Sequence, residues 1–411
     1  LTMEGISVSV STQRVYPNGT LACHVVGYIG KIQNYDTYYA SYKEKGYALS
    51  DLIGLDGVEK TMEDWLSPCT TQRVGTRVVE IDRYGAVSRT LSSTEATDGN
   101  NIKLTIDSNL QRIAESALEE AGFQVVSFVF SAGESSKNAA VYLELLRFLA
   151  KNRLTRTDAL VALGGGVVGD LTGFAAATYL RGIRFIQVPT TLLAAVDSSV
   201  GGKTAIDLEE GKNLVGAFWQ PSLVLCDTDT LNTLPKDIFL DGCAEVIKYA
   251  VLFDREFFAY LASTGPDFDK EYVIKRCVTF KRDIVARDEF DTGDRRLLNL
   301  GHTIGHGVEA NSNFTLSHGK SVAIGMAIIS RSAVNHQLLS QEDETKIEEI
   351  LQAFHLPTAT KDASEALASF ALSDKKRTGG TLGLIIPRTI GHCEIITTPV
   401  AELENFIQSG L

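Results

Sequence analysis

The sequence predicts an α/β domain followed by a mainly α-helical domain, both preceded by a β-rich α+β segment of different character. Buried strands alternate with amphipathic helices over 101–233, and helical periodicity dominates 236–370. Residues 1–100 are instead rich in Thr, Ser, Gly and Tyr, with short alternating stretches. We therefore expect three parts, 1–100, 101–233 and 234–411.

The composition excludes several classes of protein. The chain has 411 residues, a net charge of −12, 44% hydrophobic and 22% charged residues, which is ordinary for a globular protein. The negative charge argues against a nucleic-acid partner. The sequence has no apolar run of about 18 residues, as a membrane helix needs, and no signal-peptide pattern. The six cysteines are scattered without a C-x-x-C pair, so we expect reduced thiols and a cytoplasmic protein.

The first part and its junction carry local structural patterns. Residues Arg77–Arg83 alternate and lead into Tyr84-Gly85, which predicts a β-hairpin. Ile102–Ile106 is predicted as a strand, and Asp107-Ser108 as the N-cap of an amphipathic helix that stops at Gly122.

The α/β part contains short apolar runs separated by helical patterns. The predicted strands are Val125–Phe130, Ala159–Leu163 and Phe185–Val188. The predicted helices are Ala139–Lys151 and one beginning near Asp170. Beyond Leu234-Pro235 the next strong strand is Leu382–Ile386.

A glycine loop follows the second of these strands. Gly164, Gly166 and Gly169 fit G-x-G-x-x-G between a strand and a helix, where bare backbone approaches a pyrophosphate and the helix N-terminus favours its charge. A close helix–strand crossing is the alternative explanation. Because Pro189-Thr190-Thr191 stands where an acidic ribose-binding residue is expected, the loop predicts a nucleotide site of non-standard design.

A second glycine-rich stretch carries polar residues suited to phosphate. Gly201-Gly202-Lys203-Thr204 lacks the preceding glycine of a P-loop, so we reject ATP binding there. Asp197, Lys203, Lys212 and Asn213 would nevertheless form a cradle for a sugar phosphate. The alternatives are solvated lysines and an aspartate that ties down a turn.

Four residues of the helical part have the chemistry of a metal site. His302 and His306 are four apart, so a helix would present both on one face. With Glu245 and His318 they make a nitrogen and oxygen donor set suited to Zn²⁺ or Co²⁺. Nearby cations, which are Lys248, Lys281 and Arg295, would bind an anionic substrate. A metal-dependent enzyme is the first hypothesis.

From about residue 119 onward the chain resembles the 3-dehydroquinate synthases of the sugar-phosphate cyclase superfamily. The matching segments are VALGGGVVGDLTGF at 161–174, YLRGI at 179–183, QVPTTLL at 187–193, VDSSVGGKT at 196–204, GKNLVGAF at 211–218, AEVIK at 244–248 and LNLGHTIGH at 298–306. The resemblance implies an α/β nucleotide-binding domain and a helical metal- and substrate-binding domain.

The resemblance also implies roles for individual residues. Glu245, His302 and His318 would bind the divalent metal, Zn²⁺ or Co²⁺. The residues implied in NAD binding are Glu134, Lys137, Gly165, Gly166, Val167, Asp170, Thr190 and Thr191. The residues implied in catalysis are Asp197, Lys203, Lys248, Lys281, Arg295, Asn299 and His306. Those implied in substrate binding are Arg181, Lys212, Asn213 and one of Lys375 and Lys376.

The implied reaction belongs to the shikimate pathway of aromatic amino acid biosynthesis. It converts 3-deoxy-D-arabino-heptulosonate 7-phosphate to 3-dehydroquinate by transient NAD-dependent oxidation, phosphate elimination, reduction and intramolecular aldol closure. The substrate's own phosphate would serve as a base, and the enzyme would be a homodimer. Another sugar-phosphate cyclase and an iron-dependent alcohol dehydrogenase are the enzymatic alternatives.

Residues 1–118 resemble something else, the N-terminal non-catalytic region of a class B penicillin-binding protein. The matching segments are RVYPNGTLACHVVGYIG at 14–30, LIGLDGVEKTMEDWL at 52–66 and DGNNIKLTIDSNLQRIAESALE at 98–119. Neither S-D-N nor K-T-G is present, and the S-x-x-K matches are Ser317–Lys320 and Ser373–Lys376. Penicillin binding is therefore not expected.

The junction allows two interpretations. Ile102–Ile106 and Asp107 would replace the missing nucleotide-domain strand and its ribose-binding acid, and tight NAD binding would support this. We favour the other interpretation, a fusion or assembly artefact in which residues 1–100 have no function. A further hypothesis is an inactive chimera that acts only as a scaffold or interaction protein.

Overall fold

The computed structural model describes residues 14–17, 26–32, 36–48, 51–55, 57–67, 75–95, 97–100, 108–312, 315–372 and 380–411. The chain divides into two compact units, Leu1–Ala132 and Gly133–Leu411.

The first unit contains short strands and helices around a small core. Its elements are β1 (Ile29–Lys31), α1 (Asp36–Glu44), β2 (Leu52–Gly54), α2 (Gly57–Thr61), α3 (Glu63–Leu66), β3 (Thr76–Ile81), β4 (Val87–Thr94) and α4 (Ser108–Glu120). The buried Glu63 carboxylate accepts hydrogen bonds from the Tyr47 hydroxyl at 2.8 Å and the Gly54 amide at 2.6 Å. The hairpin of β3 and β4 and the amphipathic helix α4 confirm the sequence predictions.

One predicted strand of this unit is wrong. Residues 124–131 adopt no regular structure, although Val125–Phe130 was expected to be a strand. A strand needs a neighbour whose backbone completes the hydrogen-bond ladder, and none of the described strands pairs with this segment. The predicted strand Ile102–Ile106 and the N-cap at Asp107 lie outside the described residues.

The first half of the second unit is α/β. Its elements are α5 (Ala139–Lys151), β5 (Ala159–Gly164), α6 (Gly166–Thr178), β6 (Arg184–Pro189), β7 (Lys203–Leu208), β8 (Gly211–Phe218) and β9 (Leu223–Val224). Strands β5, β6 and β9 form a parallel sheet in that order. Helix α5 has the predicted bounds, because the Asn138 side chain caps the amides of Ala140 and Val141.

Helix α6 begins at Gly166, four residues before the predicted start near Asp170. Glycine is a poor helix former in isolation, so the glycine run suggested a loop. Burial of the helix from Gly169 to Ala176 overrides that preference. The helix N-terminus consequently comes almost directly after the carboxyl end of β5.

The sequence analysis did not predict the hairpin of β7 and β8. These strands pair antiparallel, from Lys203 opposite Phe218 to Leu208 opposite Gly211. The hairpin carries Lys203, Lys212 and Asn213, three of the four residues of the predicted phosphate cradle, whereas Asp197 lies on the turn Ala194–Ser198.

The second half of this unit is mainly helical, as predicted. Its elements are α7 (Lys236–Phe253), α8 (Arg255–Thr264), α9 (Lys270–Arg287), α10 (His302–Asn311), α11 (His318–Asn335), α12 (Gln341–Ala353), α13 (Ser364–Leu372), β10 (Thr381–Thr389), β11 (His392–Pro399) and α14 (Val400–Gln408). One hydrophobic core runs through these elements, with α7 buried from Gly242 to Leu252 and α11 buried over most of its length. Within the described residues, no helix combines the length and apolarity needed to cross a membrane.

Candidate metal and nucleotide site

Glu245, His302 and His318 form a compact cluster of metal-ligating side chains. One ligand atom from each lies within 4.8 Å of the others. Nε2 of His302 lies 3.3 Å from Oε1 of Glu245, and Nε2 of His318 lies 3.1 Å from the same oxygen. Glu245 is buried, whereas both rings are partly accessible. Two nitrogens and one oxygen suit Zn²⁺ or Co²⁺ with a further position for a substrate oxygen, so the residues fit a divalent ion.

The two histidines stand at the N-terminal ends of two helices that cross very closely. A Cβ atom at Gly325 of α11 would lie 1.9 Å from the Gly301 carbonyl oxygen, and one at Gly305 would lie 2.8 Å from the Ser321 oxygen. The backbones of α10 and α11 therefore approach at a distance that only glycine permits. This crossing holds His302 and His318 on either side of Glu245.

Substitution Gly325→Ala is expected to push α10 and α11 apart. The free energy of unfolding should fall by about 1–3 kcal/mol, the usual effect of overpacking, and zinc affinity should fall with it. Chemical denaturation and zinc titration measure the two quantities. Gly380→Ala is the matched control, since a Cβ atom at Gly380 meets nothing within 4 Å. Wild-type stability and zinc affinity in Gly325→Ala would contradict this account of the crossing.

The protonation of the cluster follows from its charges. Burial alone would raise the pKa of Glu245, but the Lys248 ammonium and His302 hold that pKa well below its usual range. Burial lowers the pKa of His302 and favours the neutral imidazole that a metal requires. For His318, contacts with Glu245 and Glu309 outweigh burial and raise the pKa to about 10. A divalent ion bound there would take the place of that proton.

A buried network of opposite charges adjoins the cluster. Lys248 forms ion pairs with Glu245 and, at 3.1 Å, with Oδ2 of Asp197. Lys281 forms an ion pair with Asp197 and donates to its backbone oxygen at 2.6 Å. Asp197, on the short turn Ala194–Ser198, thus holds both ammonium groups, and Lys248 also contacts the candidate metal ligand Glu245. Burial, only partly offset by Asp197, lowers the pKa of Lys281.

Arg295 contacts the glycine turn that precedes Lys203. The Arg295 guanidinium is 1% exposed and donates to the carbonyl oxygens of Gly201, at 2.8 Å, and Glu289. Lys203 is exposed and pairs with Asp291 at 2.5 Å. Arg295 therefore stiffens the glycine turn that precedes Lys203.

Asn299 ends the turn before α10, and His306 lies on α10. The Asn299 side-chain amide donates to the Arg296 carbonyl at 2.9 Å. The His306 ring is exposed, and its centroid lies 5.5 Å from that of His302 and 6.3 Å from that of His318. His306 contributes no atom to the three-residue cluster.

The predicted nucleotide residues lie in the segment before α5, at the start of α6 and directly after β6. Two of them, Lys137 and Glu134, contact residues of the β7–β8 hairpin. Lys137 donates to Asp170 and to Asn213, each at 2.5 Å. Glu134 lies 3.8 Å from Lys212. The Thr190 amide donates to the Gly164 carbonyl at 2.9 Å.

The glycine loop itself has little room for side chains. A Cβ atom at Gly165 would lie 3.0 Å from the Thr191 methyl group, and one at Gly166 would lie 3.1 Å from the Ser198 hydroxyl. Val167 continues into α6, whose N-terminus offers unpaired amides. The geometry suits an anionic group held by backbone.

Three predicted substrate residues lie elsewhere or outside the described chain. Arg181 is exposed on a turn after α6 with φ of 69°. Its guanidinium contacts none of the cluster residues in the described part of the chain. Lys375 and Lys376 fall outside the described residues.

The sequence analysis missed two buried residues of the site. Glu309 lies 3.6 Å from Nδ1 of His318 and 2.6 Å from the Lys212 ammonium. Tyr249 is fully buried, and burial together with Asp197 and Glu245 raises its pKa well above its usual value. Helical spacing was the available indication, because Glu309 follows His302 by two turns and Tyr249 follows Glu245 by one.

Comparison with known families matches both parts of the chain. Residues 127–241 match the 3-dehydroquinate synthase N-terminal domain and residues 242–377 the C-terminal domain. Residues 1–104 match the penicillin-binding protein dimerisation domain.

Similar curated proteins are named 3-dehydroquinate synthase. The protein from Enterococcus faecalis (strain ATCC 700802 / V583) is 44% identical over 299 residues, which is 71% of this chain and 84% of the relative. That from Clostridium beijerinckii is 46% identical over 297 residues, 70% of this chain and 83% of the relative. That from Mesorhizobium japonicum is 42% identical over 344 residues, 79% of this chain and 89% of the relative.

Two solved structures have the same architecture. The 2-epi-5-epi-valiolone synthase of Streptomyces hygroscopicus subsp. jinggangensis 5008, solved with NAD⁺ and Zn²⁺, superposes with a TM-score of 0.68 at 26% identity, covering 73% of this chain and 86% of its own. A 2-deoxy-scyllo-inosose synthase, solved with carbaglucose-6-phosphate, NAD⁺ and Co²⁺, gives 0.66 at 26% identity, covering 73% and 88%.

Proposed function

The chain belongs to the 3-dehydroquinate synthase family, and on that premise we propose that it converts 3-deoxy-D-arabino-heptulosonate 7-phosphate into 3-dehydroquinate and inorganic phosphate. It would thus be a carbon–oxygen lyase of the shikimate pathway. The observation that carries the proposal is the convergence of Glu245, His302 and His318 beside the buried Asp197–Lys248–Lys281 network.

When bound, NAD would take up and return a hydride, and a divalent ion on Glu245, His302 and His318 would lower the pKa of a coordinated substrate hydroxyl. The protein's own task is then to position the substrate and stabilise charge. His306, beside the cluster, can hydrogen-bond the leaving phosphate or a ring oxygen. Because the substrate phosphate can accept the proton, the proposed elimination requires no separate side-chain base.

The cationic residues would bind the two anionic ends of the substrate. Lys248 and Lys281 are both held by Asp197, Lys248 also contacts Glu245, and Lys203 stands exposed at the edge of the hairpin. An ammonium that is fixed before the substrate arrives loses little entropy on binding. We assign Asn213, Asn299 and Arg295 to the orientation of the same substrate.

The nucleotide would lie on the other side of this substrate position. We assign its phosphates to the backbone of Gly165, Gly166 and Val167 at the start of α6. Glu134, Lys137, Asp170, Thr190 and Thr191 would complete the contacts. Lys137 donates to Asp170 on α6 and to Asn213 on β8. This lysine therefore connects the helix that follows the glycine loop with the β7–β8 hairpin.

We further propose a cytoplasmic homodimer in which residues 101–233 bind NAD and 234–411 bind metal and substrate. The penicillin-binding-protein-like residues 1–100 would have no role in turnover. The 42–46% identity to 3-dehydroquinate synthases, against 26% to the valiolone and inosose synthases, favours this substrate over those of other cyclases.

Release of inorganic phosphate from 3-deoxy-D-arabino-heptulosonate 7-phosphate tests the proposal. With NAD⁺ present we expect release without accumulation of NADH, loss of release with EDTA, and recovery with added Zn²⁺ or Co²⁺. Net NADH formation would instead indicate an alcohol dehydrogenase. No release from folded, metal-loaded protein would overturn the proposed activity and leave the scaffold hypothesis.

A further inference from the structure

Each candidate metal-binding histidine has an oxygen close to its second ring nitrogen. Nδ1 of His302 lies 3.1 Å from the Leu300 carbonyl oxygen, and Nδ1 of His318 lies 3.6 Å from Oε2 of Glu309. In each ring Nε2 is the nitrogen that faces Glu245. Such outer acceptors fix the tautomer and the ring orientation of metal ligands.

The two acceptors differ in origin. The Leu300 carbonyl is backbone two residues from its histidine, so it is set by the turn before α10. Glu309 is a side chain that must itself be held, and it is 6% exposed on α10, near the end of that helix. Burying a carboxylate without a charged or hydrogen-bonding partner costs free energy, so Glu309 is expected to have one.

The partner of Glu309 comes from the other half of the unit. Lys212 on β8 lies 2.6 Å from Oε1 of Glu309, so the two carboxylate oxygens are divided between Lys212 and His318. The same ammonium lies 3.8 Å from Glu134. The adjacent residue, Asn213, accepts from Lys137 at 2.5 Å.

We propose that Glu309 is a positioning residue that orients His318 for metal binding, and that Lys212 holds Glu309 in place. The inference rests on the proposed metal site. It gives Lys212 a different role from the substrate contact that the sequence suggested. It also links the β7–β8 hairpin to the metal ligands through one series of contacts, from Lys212 to Glu309 to His318.

The contacts determine how variants should rank. Glu309→Ala removes the acceptor and leaves the His318 ring free to turn. Glu309→Gln keeps the side-chain volume and a neutral acceptor oxygen. Lys212→Met removes the support but leaves the carboxylate, and the Lys212 side chain is 33% exposed, so the loss of its charge is tolerable for folding.

Zinc affinity of the purified full chain, measured by competition with a zinc-binding dye, tests the proposal. We expect Glu309→Ala to weaken affinity about 10–100-fold, as removal of such outer partners does, with Glu309→Gln and Lys212→Met at or below the lower end of that range. The visible absorption of the Co²⁺-loaded protein should change in Glu309→Ala at saturating metal. The buried Glu344 on α12 supplies the matched control, Glu344→Gln, with wild-type affinity and spectrum.

The outcomes separate this inference from the proposed activity. Affinity within twofold of wild type and an unchanged Co²⁺ spectrum in both Glu309 variants would overturn it. A wild-type chain that binds zinc no better than millimolar would overturn it as well. Glu309-dependent zinc binding in a chain that releases no phosphate would uphold the inference while the proposed activity fails. If Glu309→Ala fails to fold, Glu309→Gln and Lys212→Met carry the test.

Discussion

Glu245→Gln is expected to remove bound zinc and nearly all phosphate release, with kcat/KM reduced about 10³-fold or more. Glutamine has the volume of glutamate but lacks the charge, so the cluster keeps its packing and loses its anionic ligand. A metal that polarises a substrate oxygen contributes several kcal/mol to the transition state, and each 1.36 kcal/mol corresponds to tenfold in rate. Metal analysis of the purified variant and the phosphate-release assay measure the two effects.

The fold of Glu245→Gln should persist, which separates loss of metal from loss of structure. Lys248 keeps its ion pair with Asp197 at 3.1 Å after the substitution, so no buried ammonium is left alone. His392→Ala is a suitable control, because its side chain is 63% exposed on β11. Full zinc content and turnover in Glu245→Gln would show that the cluster is not the metal site.

Those parts of the fold that depend on neighbouring residues could be predicted from the sequence. Helix α5 has the predicted bounds because its Asn138 cap and apolar spacing are local. The hairpin of β3 and β4 was predicted from its alternation and its Tyr84-Gly85 turn. The hairpin of β7 and β8 was missed because its loop, Glu209-Glu210, has none of the usual turn residues.

Features that depend on distant packing could not be predicted in the same way. Val125–Phe130 has the composition of a strand, but it has no described partner strand. Helix α6 begins within the glycine run because it is buried, which overrides glycine's low propensity.

Some residues of the candidate site could likewise be predicted from the sequence, and others could not. Glu245, His302 and His318 were predicted as a set, and the structure brings their ligand atoms within 4.8 Å. Their assignment as ligands remains a prediction until metal is measured. Glu309 was missed because its importance depends on Lys212, which lies 97 residues earlier in the chain. The role of such a carboxylate can be recognised only in the folded chain, where a cation and a histidine lie beside its two oxygens.

Asp197→Asn is expected to have the second large effect, on stability as well as turnover. Asp197 is the shared anion of Lys248 and Lys281, both almost fully buried. Removing one partner of a buried ion pair costs about 3–5 kcal/mol, and here two ammonium groups lose part of their compensation. Chemical denaturation should show this loss, and phosphate release should fall because both lysines lose their shared anion and Lys248 contacts the metal-ligating Glu245.

The same ion pairs determine how the free energy of unfolding changes with pH on the acid side. Burial opposes ionisation of Asp197, but Lys248 and Lys281 outweigh it and lower the pKa. The stability from the ionised carboxylate is therefore complete above the unfolded pKa of about 3.9 and is lost as pH falls through the folded value. Asp197→Asn should lack this part of the acid dependence.

Lys203→Met separates the anchoring of lysines from substrate binding. Its partner Asp291 lies 2.5 Å away and is 13% exposed, but the Lys203 side chain is 51% exposed, so solvent screens this pair and it contributes less to stability than the pairs of Asp197. We therefore expect Lys203→Met to raise KM while the denaturation midpoint stays at the wild-type value. If Asp197→Asn were as stable as wild type, the buried network would not be a structural anchor, and its lysines would be held by packing alone. If instead Asp197→Asn loses stability and Lys203→Met does not, the site has two kinds of cation. Lys248 and Lys281 are buried and fixed by Asp197, whereas Lys203 is exposed and contributes to substrate binding alone.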